Sequence, residues 1–312
     1  MGEEEREEVN LWAKVGSDVG ETKVDALLQL SYNAAGRKEY VEALAFCETA
    51  RDIHESLGAI ASDSKLAHIY FGIGHSLRHL KRAAEAAVAL AKSVEIYQSL
   101  GSEDAIHLLN EEGDAWYEAK EYQKSFAAYK RAIEDSNPDI CDSIVARNYA
   151  DAGTALVKLK DWDQALIHFR EARNLFKKLK HPLDVAHCDE EISLCYYWLK
   201  DGVNSLFHAQ LALDYAVTAN DECHLMWAKA RMALAKKRLG EYENALELFA
   251  ESKLIMTQQE NPPWKAIVKL ERQVADILKK TGKAEESVEV LRRIANLSDI
   301  FLDDWEKVQI VE

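Results

Sequence analysis

Apolar positions along this chain recur at three- and four-residue steps, in stretches of about 15 residues separated by short polar breaks. Tyr149, Ala152, Gly153, Leu156 and Leu159 form one stretch; Trp162, Ala165, Leu166, Phe169, Ala172, Leu175 and Phe176 form the next. Such steps put the apolar side chains of each stretch on one face of an α-helix. The breaks carry residues that end helices: Gly36, Lys160-Asp161, Gly240, Gly282 and the loop Asn261-Pro262-Pro263-Trp264. With only 4 Pro and 13 Gly in 312 residues, the chain lacks the frequent turns that strand-rich folds need. The pattern predicts an all-α protein of antiparallel helix pairs.

The pairs repeat. A small residue, preceded three positions earlier by an aromatic or small one, stands at Ala43, Ala86, Ser125, Ala165, Ser205, Ala245 and Ser287, at intervals of 43, 39, 40, 40, 40 and 42 residues. Twelve residues before each anchor stand Ser31, Gly74, Gly113, Gly153, Ser193, Ala233 and Ala275. Seven residues after each stand Ala50, Ser93, Ala132, Ala172, Ala212, Ser252 and Ile294. Small residues in register are what helix backbones need to cross at the near end of their usual spacing. Seven units thus span residues 21–300. Residues 1–20 are expected to form an N-terminal extension or capping helix around Val9–Val15, and residues 301–312, with Asp303–Val311, a C-terminal cap or tail.

Charge and processing signals narrow the picture. Lys and Arg total 39 against 54 Asp and Glu, a net charge of −15, which argues against a nucleic-acid partner and against docking on anionic lipid. No apolar run reaches membrane-spanning length, and the acidic start, GEEEREE after Met1, is unlike a secretory signal. A cytoplasmic protein without membrane insertion is expected. Cys47, Cys141, Cys188, Cys195 and Cys223 include no CxxC spacing, so they read as buried reduced thiols.

In order, Gly153, Trp162, Ala165, Phe169 and Ala172, and again Ala233, Tyr242, Ala245 and Phe249 with Ser252, resemble the tetratricopeptide repeat (TPR) family over about residues 24–300. Ala83, Gly202 and Ala284 depart from its aromatic slot. The family's common repeat is about 34 residues; the longer repeat here is similar to those of kinesin light chains, mitotic-spindle adaptors and bacterial peptide-sensing regulators. The resemblance implies a right-handed superhelical solenoid whose first helices line a concave groove that holds a peptide.

By the family register, that groove is lined by His68, Phe71, His75 and Arg78 in the second unit and by Asn110, Asp114 and Tyr117 in the third. Arg147 with Asp151, Glu190 with Tyr197, and Trp227, Arg231 and Lys237 follow in the fourth to sixth, and Arg272 in the seventh. Mixed aromatic and polar groups suit a protein or peptide partner. Between Lys265 and Arg293, eight basic residues face five acidic ones, a local excess that would dock an acidic segment of that partner. No Lys and Asn stand together at the fifth and ninth positions of a unit, so the carboxylate clamp of chaperone-binding relatives is not expected.

Catalytic signatures are missing. There is no GxGxxG, no GxxxxGK[ST] and no HExxH. His68, His75 and His79 share a helix face without a carboxylate on that stripe, so neither a metal nor another cofactor is expected. The expected function is therefore a non-catalytic adaptor or scaffold that binds a peptide or protein segment in its groove. Two alternatives are a peptide-responsive regulator whose superhelix changes shape on ligand binding and an assembly or trafficking scaffold. Oligomeric state is not readable from the chain.

Overall fold

The computed structural model of the chain describes residues 3–58, 62–102, 104–136 and 142–301. Among the described residues there are fifteen α-helices and no strand. They fall into two compact units, residues 1–141 and 142–312. The first holds α1 (Glu3–Ser17), α2 (Glu21–Gly36), α3 (Tyr40–Leu57), α4 (Asp63–His79), α5 (Ala83–Ser99), α6 (Asp104–Glu118) and α7 (Tyr122–Glu134). The second holds α8 (Asp142–Lys158), α9 (Trp162–Lys178), α10 (Pro182–Trp198), α11 (Gly202–Ala219), α12 (Glu222–Arg238), α13 (Tyr242–Gln258), α14 (Trp264–Lys280) and α15 (Ala284–Phe301). Each repeat is thus one helix pair, α2–α3 through α14–α15. The chain is an all-α array of TPR-like pairs, and the units lacking the aromatic slot, at Ala83, Gly202 and Ala284, form their pairs like the others.

Each pair turns at one residue with positive φ, five positions before the small anchor: Lys38, Lys81, Lys120, Lys160, Lys200, Gly240 and Gly282. The Lys160 amide donates to the Val157 carbonyl (3.1 Å) and the Asp161 amide to that of Leu156 (3.0 Å); the other turns repeat this double closure. It satisfies carbonyls that a helix end leaves open and needs a left-handed residue to do so. Gly36 is not that residue: it closes α2, and the left-handed turn falls at Lys38. Three second-rank caps add to this: Asp161, Asp201 and Asp221 accept from the amides of Gln164, Asn204 and His224 at the starts of α9, α11 and α12.

The small slots have the predicted cause. A Cβ on Gly74 would lie 2.6 Å from Leu90, on Gly113 2.5 Å from the Tyr129 ring, and on Gly153 2.9 Å from the Phe169 ring. In most slots that hold Ser, the hydroxyl finds a carbonyl on the facing helix: Ser31 donates to Ala43 O (2.9 Å) and Ser193 to Ser205 O (2.8 Å). Ser93, Ser252 and Ser287, in the other small slots, donate to Ala67, Met226 and Ala275. These five buried hydroxyls are therefore satisfied without the volume a branched side chain would need, whereas that of Ser125, in the same kind of slot, has no partner among the described residues.

In the first unit the core runs from Val24 and Leu27 through Cys47, Ile69, Ile73 and Leu90 to Ala115. Helix α1 joins it: Leu11 packs on Ala26 and Leu30, and Trp12 meets Phe46 edge-on at 5.4 Å. In the second unit Phe176, Val185 and Cys188 form one cluster, and Met226, Phe249, Ile267 and Ile277 another. Cys47, Cys188 and Cys195 are buried, whereas Cys223 is exposed, a departure from the reading of every thiol as buried. Cys141 and the expected cap at Asp303–Val311 lie outside the described residues.

Candidate functional site

In the first unit, the first helices α2 and α4 border an open cleft of about 980 Å³. Leu28 and Tyr32 come from α2, and His68, Phe71 and His75 from α4, with Cys47 of α3 and Glu8 of α1 also lining it. Gly72 makes room for this floor: a Cβ there would lie 2.5 Å from the Cys47 sulfur. Burial pushes the Cys47 thiol up to about 11, so it is a packing group and a hydrogen-bond partner of Ser31 (3.0 Å), not a nucleophile. Tyr32 is 76% exposed, an aromatic side chain held at the cleft without being buried by its own chain. The repeat pattern that placed His68, Phe71 and His75 on one stripe marked Ser31 as a small packing slot, but it gave no sign that Cys47 of the second helix would also line the cleft. The close pairing of Gly72 with Cys47 is the feature that opens the cleft, and it crosses 25 residues of sequence.

The histidines of α4 are part of an aromatic cluster. Tyr40 stacks on His79 (centroids 4.1 Å apart, planes within 5°), His79 meets His75 at 4.7 Å, and His75 lies 6.0 Å from Phe71. Burial, then the neighbouring His79, hold the His75 pKa below its ordinary value. Among the described residues, no cluster of three or more His, Cys, Asp or Glu is arranged to hold a metal. Arg78 stands apart from the cleft. Its guanidinium donates to Glu111 (2.6 Å), Asp114 (2.7 Å) and Glu118 (2.9 Å) on α6. Burial opposes its charge, but the three carboxylates outweigh that and raise its pKa. Asp114 also accepts from the Tyr129 hydroxyl (2.6 Å). Tyr117 lies edge-on to Tyr122 at 5.3 Å, and Asn110 sits half-exposed on α6. Arg78 and Asp114 thus clamp successive repeats together.

In the second unit the same ladder joins successive first helices. Glu190 of α10 is 3% exposed and accepts from His224 of α12 (2.9 Å); Glu191 accepts from Arg231 (2.6 Å). Burial raises the Glu190 pKa, and the bond to Glu190 raises that of His224. Asp189, fully buried, holds Arg173 of α9 (2.9 Å) and His208 of α11 (2.6 Å). Lys237 is buried against Asp276 and Gln273 of α14, each at 2.6 Å. Tyr197 is buried too, with the Arg238 guanidinium 4.4 Å from its ring centre. Trp227 packs half-buried beside the Met226 cluster. Arg147 is exposed on α8, with Asp151 one turn on, and Arg272 is half-buried on α14. Of the second-unit stripe, Arg147 and Arg272 therefore point charge at solvent, while Glu190, Arg231 and Lys237 are tied to neighbouring repeats.

No family model matches the chain. It is 22% identical over 277 residues to Protein KINESIN LIGHT CHAIN-RELATED 3 of Arabidopsis thaliana, spanning 81% of this chain and 42% of that one. Its fold matches a signal-transduction ATPase with a tetratricopeptide repeat sensor, PH0952 from Pyrococcus horikoshii, at a TM-score of 0.67. That match has 14% identity and covers 93% of this chain and 43% of the other. The Rap conjugation gene regulator of plasmid pLS20, solved in complex with the Phr* peptide, matches at 0.52 and 17% identity, over 93% of this chain and 74% of that one. The fold is that of the TPR-like repeat proteins. His68, Phe71 and His75, which the repeat register assigned to one stripe, all line the cleft between α2 and α4. Among the described residues, no helix is long and apolar enough to cross a membrane.

Proposed function

We propose that this protein is a non-catalytic adaptor that binds a peptide or protein segment through the first-helix face of its TPR-like repeats. The observation that carries the reading is the open cleft between α2 and α4, about 980 Å³, with Tyr32 and Phe71 beside His68 and His75. A space of this size takes several side chains, and exposed aromatics backed by a packed floor are the groups that dominate such contacts. A TPR-like regulator of similar fold was solved with a peptide bound, which favours a peptide over a small metabolite. A buried thiol raised to about 11 and histidines engaged in ring stacking offer no nucleophile–base pair.

The test is a random peptide library panned against the full chain, with recovered sequences measured on wild type and on Tyr32→Ala and Phe71→Ala chains. Truncation of a central aromatic anchor should weaken binding about 30-fold, the equivalent of ~2 kcal/mol. Peptides that bind both variants as well as wild type would sink the cleft as the site.

A further inference from the structure

The last residue of each first helix falls seven positions before the small anchor of its repeat: Gly36, His79, Glu118, Lys158, Trp198, Arg238 and Lys280. Cations at this place suit the negative end of a helix dipole. Trp198 does not follow from that rule, and packing does not demand it either. It stacks on Trp162 (centroids 5.5 Å apart, planes within 13°), as the smaller His79 stacks on Tyr40, yet it stays 49% exposed. Contacts fix what surrounds it. Tyr197 meets Trp198 edge-on at 5.3 Å and holds the Arg238 guanidinium 4.4 Å from its own ring centre. Gly202 stands where other pairs have an aromatic; a Cβ there would lie 2.9 Å from Leu239 and 3.1 Å from the Arg238 side chain. Trp162, Trp198, Leu239 and Arg238 thus form one patch drawn from α9, α10 and the end of α12. Among the described residues, neither indole N–H has a hydrogen-bond partner, and Lys158, Lys160, Lys200 and Arg238 make no ion pair. The acids of the same turns are partly spent. Asp161 and Asp201 cap α9 and α11, and Glu241 holds Lys236 and Asn244, which leaves Asp163 and Glu243 exposed. The free charge of these three turns is therefore positive, four groups against two, in a molecule of net charge −15.

We propose that this patch docks a proline-bearing acidic segment of a partner protein, held in polyproline II form. A flat, half-exposed indole backed by a second indole offers a face on which a proline ring lies without loss of side-chain freedom. A polyproline II chain makes no internal hydrogen bonds, so its carbonyls are free acceptors, and the two indole N–H groups are donors without partners. Charge decides between flat ligands. An arginine stacked on Trp198 would meet Arg238 and Lys200 as like charges, whereas a carboxylate beside the proline meets them as opposite ones. A stacked nucleobase brings a phosphate backbone that the net charge of the chain repels. The patch lies in the second unit and is independent of the α2–α4 cleft.

The test passes three peptide libraries over the full chain: PxxP segments flanked by glutamate, the same segments flanked by lysine, and the glutamate-flanked set with alanine for proline. Retention of the first at least about tenfold above both others is expected. Recovered peptides are then titrated against variants. Trp198→Lys places at this position the residue that Lys158 and Lys280 already supply in other repeats, and Arg238→Glu the one that Glu118 supplies, so both should melt within a few degrees of wild type. Trp198→Lys should weaken binding at least about tenfold although it adds a positive charge; tighter binding would mean that charge alone holds the peptide. Arg238→Glu should weaken it by a similar factor, and Lys178→Glu, the same charge change at an exposed cation of α9, by less than about threefold. Should either slot variant lower the melting temperature, Lys200→Glu at the exposed turn reads the same charge dependence without touching the stack. Equal retention of the alanine or lysine libraries, no retention of the first, or peptides that bind Trp198→Lys as well as wild type would overturn the proposal.

Discussion

Lysine in a left-handed conformation costs about 1–2 kcal/mol relative to glycine, and five of the seven turns within pairs use it. The turn is held by two amide–carbonyl bonds that need this backbone shape, so the penalty is borne in the folded state. Replacing Lys160 by Gly relieves it and adds chain entropy to the unfolded state, about 0.4–1 kcal/mol in the other direction. The larger effect wins, and Lys160→Gly should melt a few degrees higher than wild type; a lower melting temperature would mean that the lysine side chain makes a contact worth more than the strain. Gly113 behaves oppositely. A methyl there would sit 2.5 Å from the Tyr129 ring, whose hydroxyl is anchored to Asp114, so the ring has little freedom to retreat. Overpacking of ~1–3 kcal/mol exceeds the helix gain of ~1 kcal/mol for Gly→Ala. Gly113→Ala should therefore lower stability in urea titrations, whereas the same change at Gly36, with no atom within 4 Å of its added Cβ, should not.

Helix α10 shows what the repeat register conveys and where it stops. Spacing assigned Glu190 to the groove stripe, and the structure buries it, with Glu191 beside it, against α12. Spacing did not tell which partner would reach them, because those partners, His224 and Arg231, lie 34 and 40 residues away. Periodicity fixes a residue's face; inter-repeat offset and side-chain length decide whether the face opens to a ligand or to the next helix. The pairs, the small slots and the period were legible for the same reason, since each depends on residues within one repeat. The cleft depends on residues from four helices, and Arg78 and Lys237 look like Arg272 in the sequence because their acidic partners lie on other helices. The Glu190–His224 pair carries a pH consequence. Both pKa values are raised, Glu190 by burial and His224 by its bond to Glu190. A raised carboxyl loses stability as pH climbs above its ordinary 4.5, and a raised imidazole keeps its contribution below 6.5 and loses it as pH climbs through the higher folded value. His187, Arg231, Asp221 and Asp184 also act on this pair. Stability of the second unit should thus fall as pH climbs above 4.5 and on through 6.5, and His224→Asn should flatten the slope above 6.5; a variant with the wild-type slope would assign the pH dependence elsewhere.

Within each unit, helices pack mainly against those next to them in sequence, and the cores are a series of local clusters such as those around Ile73, Phe176 and Phe249. Stability in such an array is close to a sum of repeat terms and nearest-neighbour terms. A defect should then be felt within its own pair and the adjacent ones and fade beyond them, in contrast to a two-state globular core, where every residue shares the loss. Gly113→Ala supplies a defect confined to the contact between α6 and α7. Hydrogen exchange followed by mass spectrometry under native conditions reads the response helix by helix. Faster exchange is expected in α6 and α7, a smaller change in α5, and none in α12, α13 and α14. A uniform loss of protection from α2 to α14 would show that the fifteen helices unfold as one cooperative block, and the nearest-neighbour account would have to be abandoned.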